Sequence, residues 1–108
     1  MFDEEKKAVK ELERIVKEKK NNLLKTEAQE AIDKLVAVDQ ALAQAAIDDA
    51  IAGGGDKKEI DKALKEMDKA QKELDYMKKG TPDPKNDKAI DHYKKAWDHA
   101  QKTIKKEA

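Results

Sequence analysis

Every glycine and both prolines of this 108-residue chain fall in two short stretches, "GGG" at 53–55 and "GTPDP" at 80–84. Glycine is the poorest ordinary helix former and proline breaks a helix interior, so the long segments around these stretches contain neither of the strongest helix breakers. Apolar residues recur there at three-, four- and seven-residue spacing, and nowhere do they alternate as a half-buried strand requires. The spacing predicts helices over 3–22 (Val9, Leu12, Val16, Leu23), 27–52, 56–79 (Ile60, Leu64, Met67, Leu74, Met77) and 84–106 (Ile90, Tyr93, Trp97, Ile104). Four such helices on short loops imply an all-α, four-helix antiparallel up-and-down bundle, with residues 1–108 as a single domain.

Local signals set the expected boundaries. Asn21 and Asn22 can close a first helix in a left-handed conformation, and Thr26 with Gln29 three residues on reads as a capping box for a second. Asp56, with Glu59 three residues on, reads as the cap of the third helix. Asp83 and Pro84 read as the cap and first residue of the fourth, where a missing amide hydrogen costs nothing. "AGGGD" at 52–56 enters from a helix and has no following P-loop lysine, so it reads as a flexible hinge and not as a phosphate cradle. Asp83, Asn86 and Asp87 lack the glycine and closing glutamate of a calcium loop.

Of the 41 apolar residues 16 are alanine, so the core must be thin and closely spaced. Lysine plus arginine and aspartate plus glutamate both number 24, and Arg14 is the single arginine. Zero net charge with so little arginine argues against a phosphate-binding surface, and the expectation is that the chain takes no nucleic acid. Acid-to-lysine pairs four residues apart, such as Asp61 with Lys65 and Asp68 with Lys72, read as a solvated helix face. There is no cysteine. The uncharged run from Gln40 to Ile47 is too short to cross a bilayer, so no membrane association is expected. "MFDEEKKAV" at the amino terminus lacks the basic start of a secretory signal; as written, the chain reads as a soluble, cytoplasmic protein.

The stretch "DHYKKAWDHAQ" holds both histidines and the tryptophan. On a helical wheel Ile90, Tyr93, Trp97 and Ile104 form one stripe, which makes Tyr93 and Trp97 the expected core anchors. His92 and His99 fall well off that stripe and are expected to face solvent. Seven residues apart, about 10.5 Å along the axis, they cannot grip one small ion, so they are weak metal candidates and no cofactor is expected. Asp39 sits within the apolar stripe of Ile32, Leu35, Leu42 and Ala46, which predicts a buried carboxylate in need of a donor such as Trp97 or Tyr93. The second helix carries net charge −5 over residues 26–52 and apolar side chains around a wide arc. Val36, Ile47 and Ile51 therefore form a candidate interaction surface for a protein partner or for self-association through that helix.

"DKALKEMDKAQK" from Asp61 and "DKAIDHYKKAWDHAQK" from Asp87 echo one another at 26-residue spacing. With alanine, aromatic and alanine at Ala89, Tyr93 and Ala96, the second copy resembles the second helix of a tetratricopeptide repeat. The glycine and tyrosine of that repeat's first helix are missing, and the loop is longer than the repeat allows. Residues 56–108 are also similar to helical hairpins that close some secreted prokaryotic multidomain proteins. No nucleophile, base or paired-acid arrangement shares a face, so the chain is read as non-catalytic, a structural or protein-interaction domain. The regular lysine and glutamate surface fits an engineered helical scaffold, while "NNLL" and "GTPDPKND" are less idealised than such a scaffold. The alternative is a metal- or haem-binding bundle using the surface histidines.

Overall fold

In the computed structural model the backbone is described at residues 2–18 and 22–107, and the side chains at these residues except 17–25, 81–82 and 104–107. The chain forms α1 (Phe2–Glu18), α2 (Asn22–Ala52), α3 (Lys57–Leu74), a minimal hairpin of β1 (Met77–Lys78) and β2 (Thr81–Pro82), and α4 (Asn86–Glu107). The fold is all-α, as the periodicity requires. The two-residue ladder of the hairpin is the only extended pairing among the described residues. No helix among them is long and apolar enough to cross a membrane.

Side-chain pairs fix the helix directions. Phe2 meets Trp97, Asp3 meets Lys94 and Lys6 meets Asp91, so α1 ascends as α4 descends. Glu59 meets His99 and Glu66 meets His92, which sets α3 antiparallel to α4 in the same way. α4 packs against α1, α2 and α3, whereas α1 and α3 make no contact among the described residues. The up-and-down order is therefore flattened: α2 and α4 touch across the middle, with α1 and α3 to either side. The Cα envelope measures 52 × 28 × 17 Å.

The core is thin, as the alanine content dictates. Val9, Ile32, Ile47, Ile90 and Tyr93 are its largest fully enclosed apolar members, with Phe2 also buried, and Ala43, Ala46, Ala50, Ala63, Ala70, Ala89, Ala96 and Ala100 fill the close approaches. Small residues let helix axes draw near, which limits the apolar area available for stability. Leu23 and Ile104, expected in core stripes, lie outside the described side chains.

Three expected boundaries move. α2 begins at Asn22, so the Thr26 signal falls inside a helix instead of starting one; Asn21, the other half of the expected break, lies outside the described residues. α3 stops at Leu74, where Asp75 caps it by donating its amide to Gln71 O. Met77, expected in the α3 stripe, is instead in the hairpin and exposed. α4 starts at Asn86 because the amide of Asp83 donates to Tyr76 O at 2.9 Å, which commits Asp83 and Pro84 to closing the hairpin.

The glycine stretch is not a hinge. Gly55 N donates to Ala50 O and Gly54 N to Ile51 O, with Gly54 at φ 71°, which is the Schellman closure of a helix end. A Cβ on Gly55 would run into Thr103 Oγ1 of α4 and lie 2.9 Å from Ala50 O. The turn is thus closed by backbone hydrogen bonds and wedged against α4. Asp56 caps α3 as expected, its carboxylate accepting from Lys58 N at 2.9 Å.

Candidate nucleic-acid interface

Helix α3 is written in a seven-residue unit: "KEIDKAL" from Lys58, "KEMDKAQ" from Lys65, then "KELD" from Lys72. Seven residues turn a straight helix through about 700°, so equivalent positions drift by only about 20° per unit and stay in line. Ile60, Met67 and Leu74, with Ala63 and Ala70, face the core. Lys58, Lys62, Lys65, Lys69 and Lys72 fall on the opposite line, all of them exposed. At 1.5 Å per residue this row of ammonium groups extends over about 21 Å.

Acids flank the row on both sides, and their engagements decide how much charge it presents. Glu59, Glu66 and Glu73 lie toward α4. His99 Nδ1 is 2.8 Å from Glu59 Oε2, His92 Nδ1 is 2.6 Å from Glu66 Oε2, and His92 Nε2 is 4.0 Å from Glu73 Oε1. The hydrogen bond from His99 holds the Glu59 carboxyl below its ordinary range. Burial pushes Glu66 up, but the bonds and charges of His92 and Lys69 outweigh it, so that carboxyl too sits low. Lys62, Lys69 and Lys72 also approach Glu59, Glu66 and Asp68 at 3.7, 3.4 and 3.3 Å. Pairs whose lysines are this exposed contribute only about 0–1 kcal/mol, which leaves those lysines free to exchange a carboxylate for a phosphate.

Beyond α3 the hairpin turns on Lys79 and Gly80, at φ 52° and 81°. Two positive φ values at the centre of a two-residue loop are the type I′ arrangement, in which asparagine or glycine is the favoured first residue. A lysine there costs about 1–2 kcal/mol, so a charge is held at the tip against local preference. Lys78 and Lys79 are exposed beside Met77, while Lys85 Nζ lies 4.5 Å from the centroid of the Tyr76 ring.

The residues singled out by sequence are distributed as follows. Tyr93 is buried in the core, and burial raises its phenol pKa. Trp97 is half-buried and tilted against Phe2, with ring centroids 6.0 Å apart. His92 and His99 do not face solvent. Their side chains are 19% and 22% exposed, wedged between α4 and α3 where the three α3 glutamates meet them. The wheel placed them off the core stripe correctly but could not show that a second helix packs on that flank. Among the described residues no group of three ligating side chains assembles around either ring. Of the candidate interaction surface, Ile47 and Val36 are buried in the core and only Ile51 is exposed. Asp39 is fully buried, yet neither of its oxygens meets a donor, and the Tyr93 hydroxyl is likewise buried without a partner, so the expected hydrogen bond does not form.

Residues 24–108 match the family model described as the plasmid replication region DNA-binding N-terminal domain. The chain belongs to this family. No match was found among curated proteins or among solved structures. Membership corrects three expectations at once. The likeness to a tetratricopeptide hairpin or to the closing domain of secreted proteins does not hold, because the family match runs through both of those helices and α2 as well. The engineered-scaffold and generic structural readings fall with it. So does the exclusion of nucleic acid, since the family's description is DNA binding. That exclusion rested on the single arginine and on net charge, a whole-chain sum blind to the lysine row. The description is of a DNA-binding domain, with which a non-catalytic role is consistent. The family match begins in α2, so α1 lies outside it while packing onto α2 and α4.

Proposed function

We propose that this chain binds DNA through the exposed lysine row of α3, with residues 1–108 acting as a single helical unit, in the plasmid-replication setting that the family description gives. The observation that carries the reading is the row itself, five lysines on one line of α3 diametrically opposite its core residues. A duplex carries one phosphate per strand every ~3.4 Å, so a straight row about 21 Å long can follow one strand and release its condensed counterions. No arginine stands in the row to make the bidentate contacts that read guanine, so its contribution is affinity and register more than sequence discrimination.

The test is fluorescence anisotropy of a labelled duplex across a salt series, for the wild-type chain and for Lys62→Gln/Lys65→Gln/Lys69→Gln. Each phosphate contact contributes about 0.9 to the slope of log affinity against log salt, so the triple variant should lose about 2.7 of it. Glutamine keeps the helix propensity of α3, and circular dichroism checks that it has done so. An unchanged slope with full affinity would remove α3 from the interface.

A further inference from the structure

The hairpin has no role in the packing of the four helices that would account for its composition. Residues 76–82 carry two lysines and no acid, and Tyr76, Met77, Lys78, Lys79 and Gly80 are all exposed. Met77, 53% exposed, is a large apolar side chain set next to the tip charges. The element is held, not loose. Asp83 N donates to Tyr76 O, Lys85 N donates to Glu73 O at 2.9 Å, and the Lys85 ammonium covers the Tyr76 ring. Met77 pairs with Pro82 and Lys78 with Thr81, so the two tip lysines sit on a short ribbon closed by a type I′ turn.

The ribbon leaves α3 immediately after the last lysine of the row, since Lys72 is in the final turn of the helix. Charges on α3 and charges on the ribbon are thereby fixed at an offset the protein cannot easily relax. A flexible single strand can bend to meet any set of cations. A duplex offers phosphates on two strands separated by grooves of set width, about 12 Å or 6 Å, and rewards only a matching offset. Two-stranded ribbons are among the elements a major groove admits.

From this we infer that the hairpin Met77–Pro82 is a second DNA contact, distinct from α3, through which the chain selects duplex over single-stranded DNA. Lys78 and Lys79 hold phosphates across a groove from those followed by α3, and Met77 presents an apolar surface toward the base edges between them. The inference rests on the DNA-binding reading above.

The experiment compares anisotropy titrations of one labelled duplex and its labelled single strand at several salt concentrations. Wild-type, Lys78→Gln/Lys79→Gln and Gly80→Ala proteins are used alongside the α3 triple variant. Removing the two tip charges should lower the duplex salt slope by about 1.8 and weaken duplex binding about tenfold at moderate salt, with single-strand binding little changed. Gly80→Ala retains both lysines and meets nothing within 4 Å, but forces a side chain into φ 81°, so it should lose duplex preference through geometry alone. If the wild-type chain binds neither form, the DNA-binding reading itself fails. If the wild type binds and the α3 variant weakens, while both hairpin variants match wild type or lose affinity for the two forms equally, the hairpin inference alone is overturned.

Discussion

Replacing Gly55 by alanine tests whether the α2–α3 turn is wedged against α4 as the geometry indicates. The added Cβ would overlap Thr103 Oγ1 and lie 3.1 Å from Thr103 Cβ and 2.9 Å from Ala50 O. Rotating the threonine side chain can relieve the first contact only; the other two involve a Cβ and a backbone oxygen that such a rotation leaves in place. Either α4 shifts outward near its carboxy-terminal end or the Schellman closure opens. Overpacking of this kind costs about 1–3 kcal/mol. For a domain of this size ~2 kcal/mol corresponds to a fall of about 8–16 °C in Tm. Thr103→Ala separates the causes. Thr103 is buried with its hydroxyl unpartnered, so truncating it alone should change stability by less than ~1 kcal/mol, the lost methyl offset by the removed polar group. In Gly55→Ala/Thr103→Ala the worst contact is gone, and urea unfolding should recover at least ~1 kcal/mol relative to the additive sum. Gly54→Ala is the control: it meets nothing within 4 Å but sits at φ 71°, so its loss arises from backbone strain and Thr103→Ala should not rescue it. Additive behaviour of Gly55→Ala with Thr103→Ala would refute the wedge.

Two further outcomes can be measured by urea unfolding. Asp39→Leu should stabilise the protein by about 1–3 kcal/mol at neutral pH, because it replaces a carboxylate that is fully buried without a donor by an apolar side chain with the same branching; a loss of stability would show that the carboxylate is satisfied in solution. Glu59 and Glu66 both have an ordinary value of 4.5 and both titrate lower in the folded chain. Their stabilisation is therefore complete above that value and is lost as pH falls through the lowered folded-state pKa values. The stability gap between wild type and Glu59→Gln/Glu66→Gln should accordingly be open at pH ~7 and close as pH falls from 4.5 through the lowered values; a gap that persists at low pH would mean that shape and not charge joins α3 to α4.

The helices were legible because their signals are local. Breakers confined to two stretches, an aspartate cap at Asp56 and apolar spacing along α4 all act within a few residues of one another. The hairpin was not, since Met77 also fits the apolar spacing of α3, and only Lys79 and Gly80 adopting positive φ together separates the two outcomes. The histidines show what a single-helix wheel omits. It placed His92 and His99 off the core stripe, yet Glu59, Glu66 and Glu73 recur at the same seven-residue interval on α3, so the two periods could have been matched across an antiparallel pair. The lysine row was readable in the heptads of α3 and was hidden by treating each acid and lysine as a pair of equals. Asp39 marks a different boundary. Its burial follows from periodicity, whereas the absence of a donor depends on where the Tyr93 hydroxyl finally points.

Zero net charge and a cationic face are compatible because electrostatic attraction at contact is local. Residues 26–52 carry net charge −5, so the rest of the chain must carry the compensating positive charge. The bundle is 17 Å across even in its thinnest direction, about twice the screening length of ~8 Å at physiological salt. Acids lying behind the core therefore do little to the potential outside α3. The acids that matter are those of α3 itself, and three of them turn toward α4: Glu59 and Glu66 onto histidines, with Glu73 4.0 Å from the His92 ring. The histidines thus have an electrostatic consequence beyond packing. By drawing glutamates inward they withdraw negative charge from the flank of the lysine row, which is how a helix of six lysines and five acids can still present a cationic line to solvent.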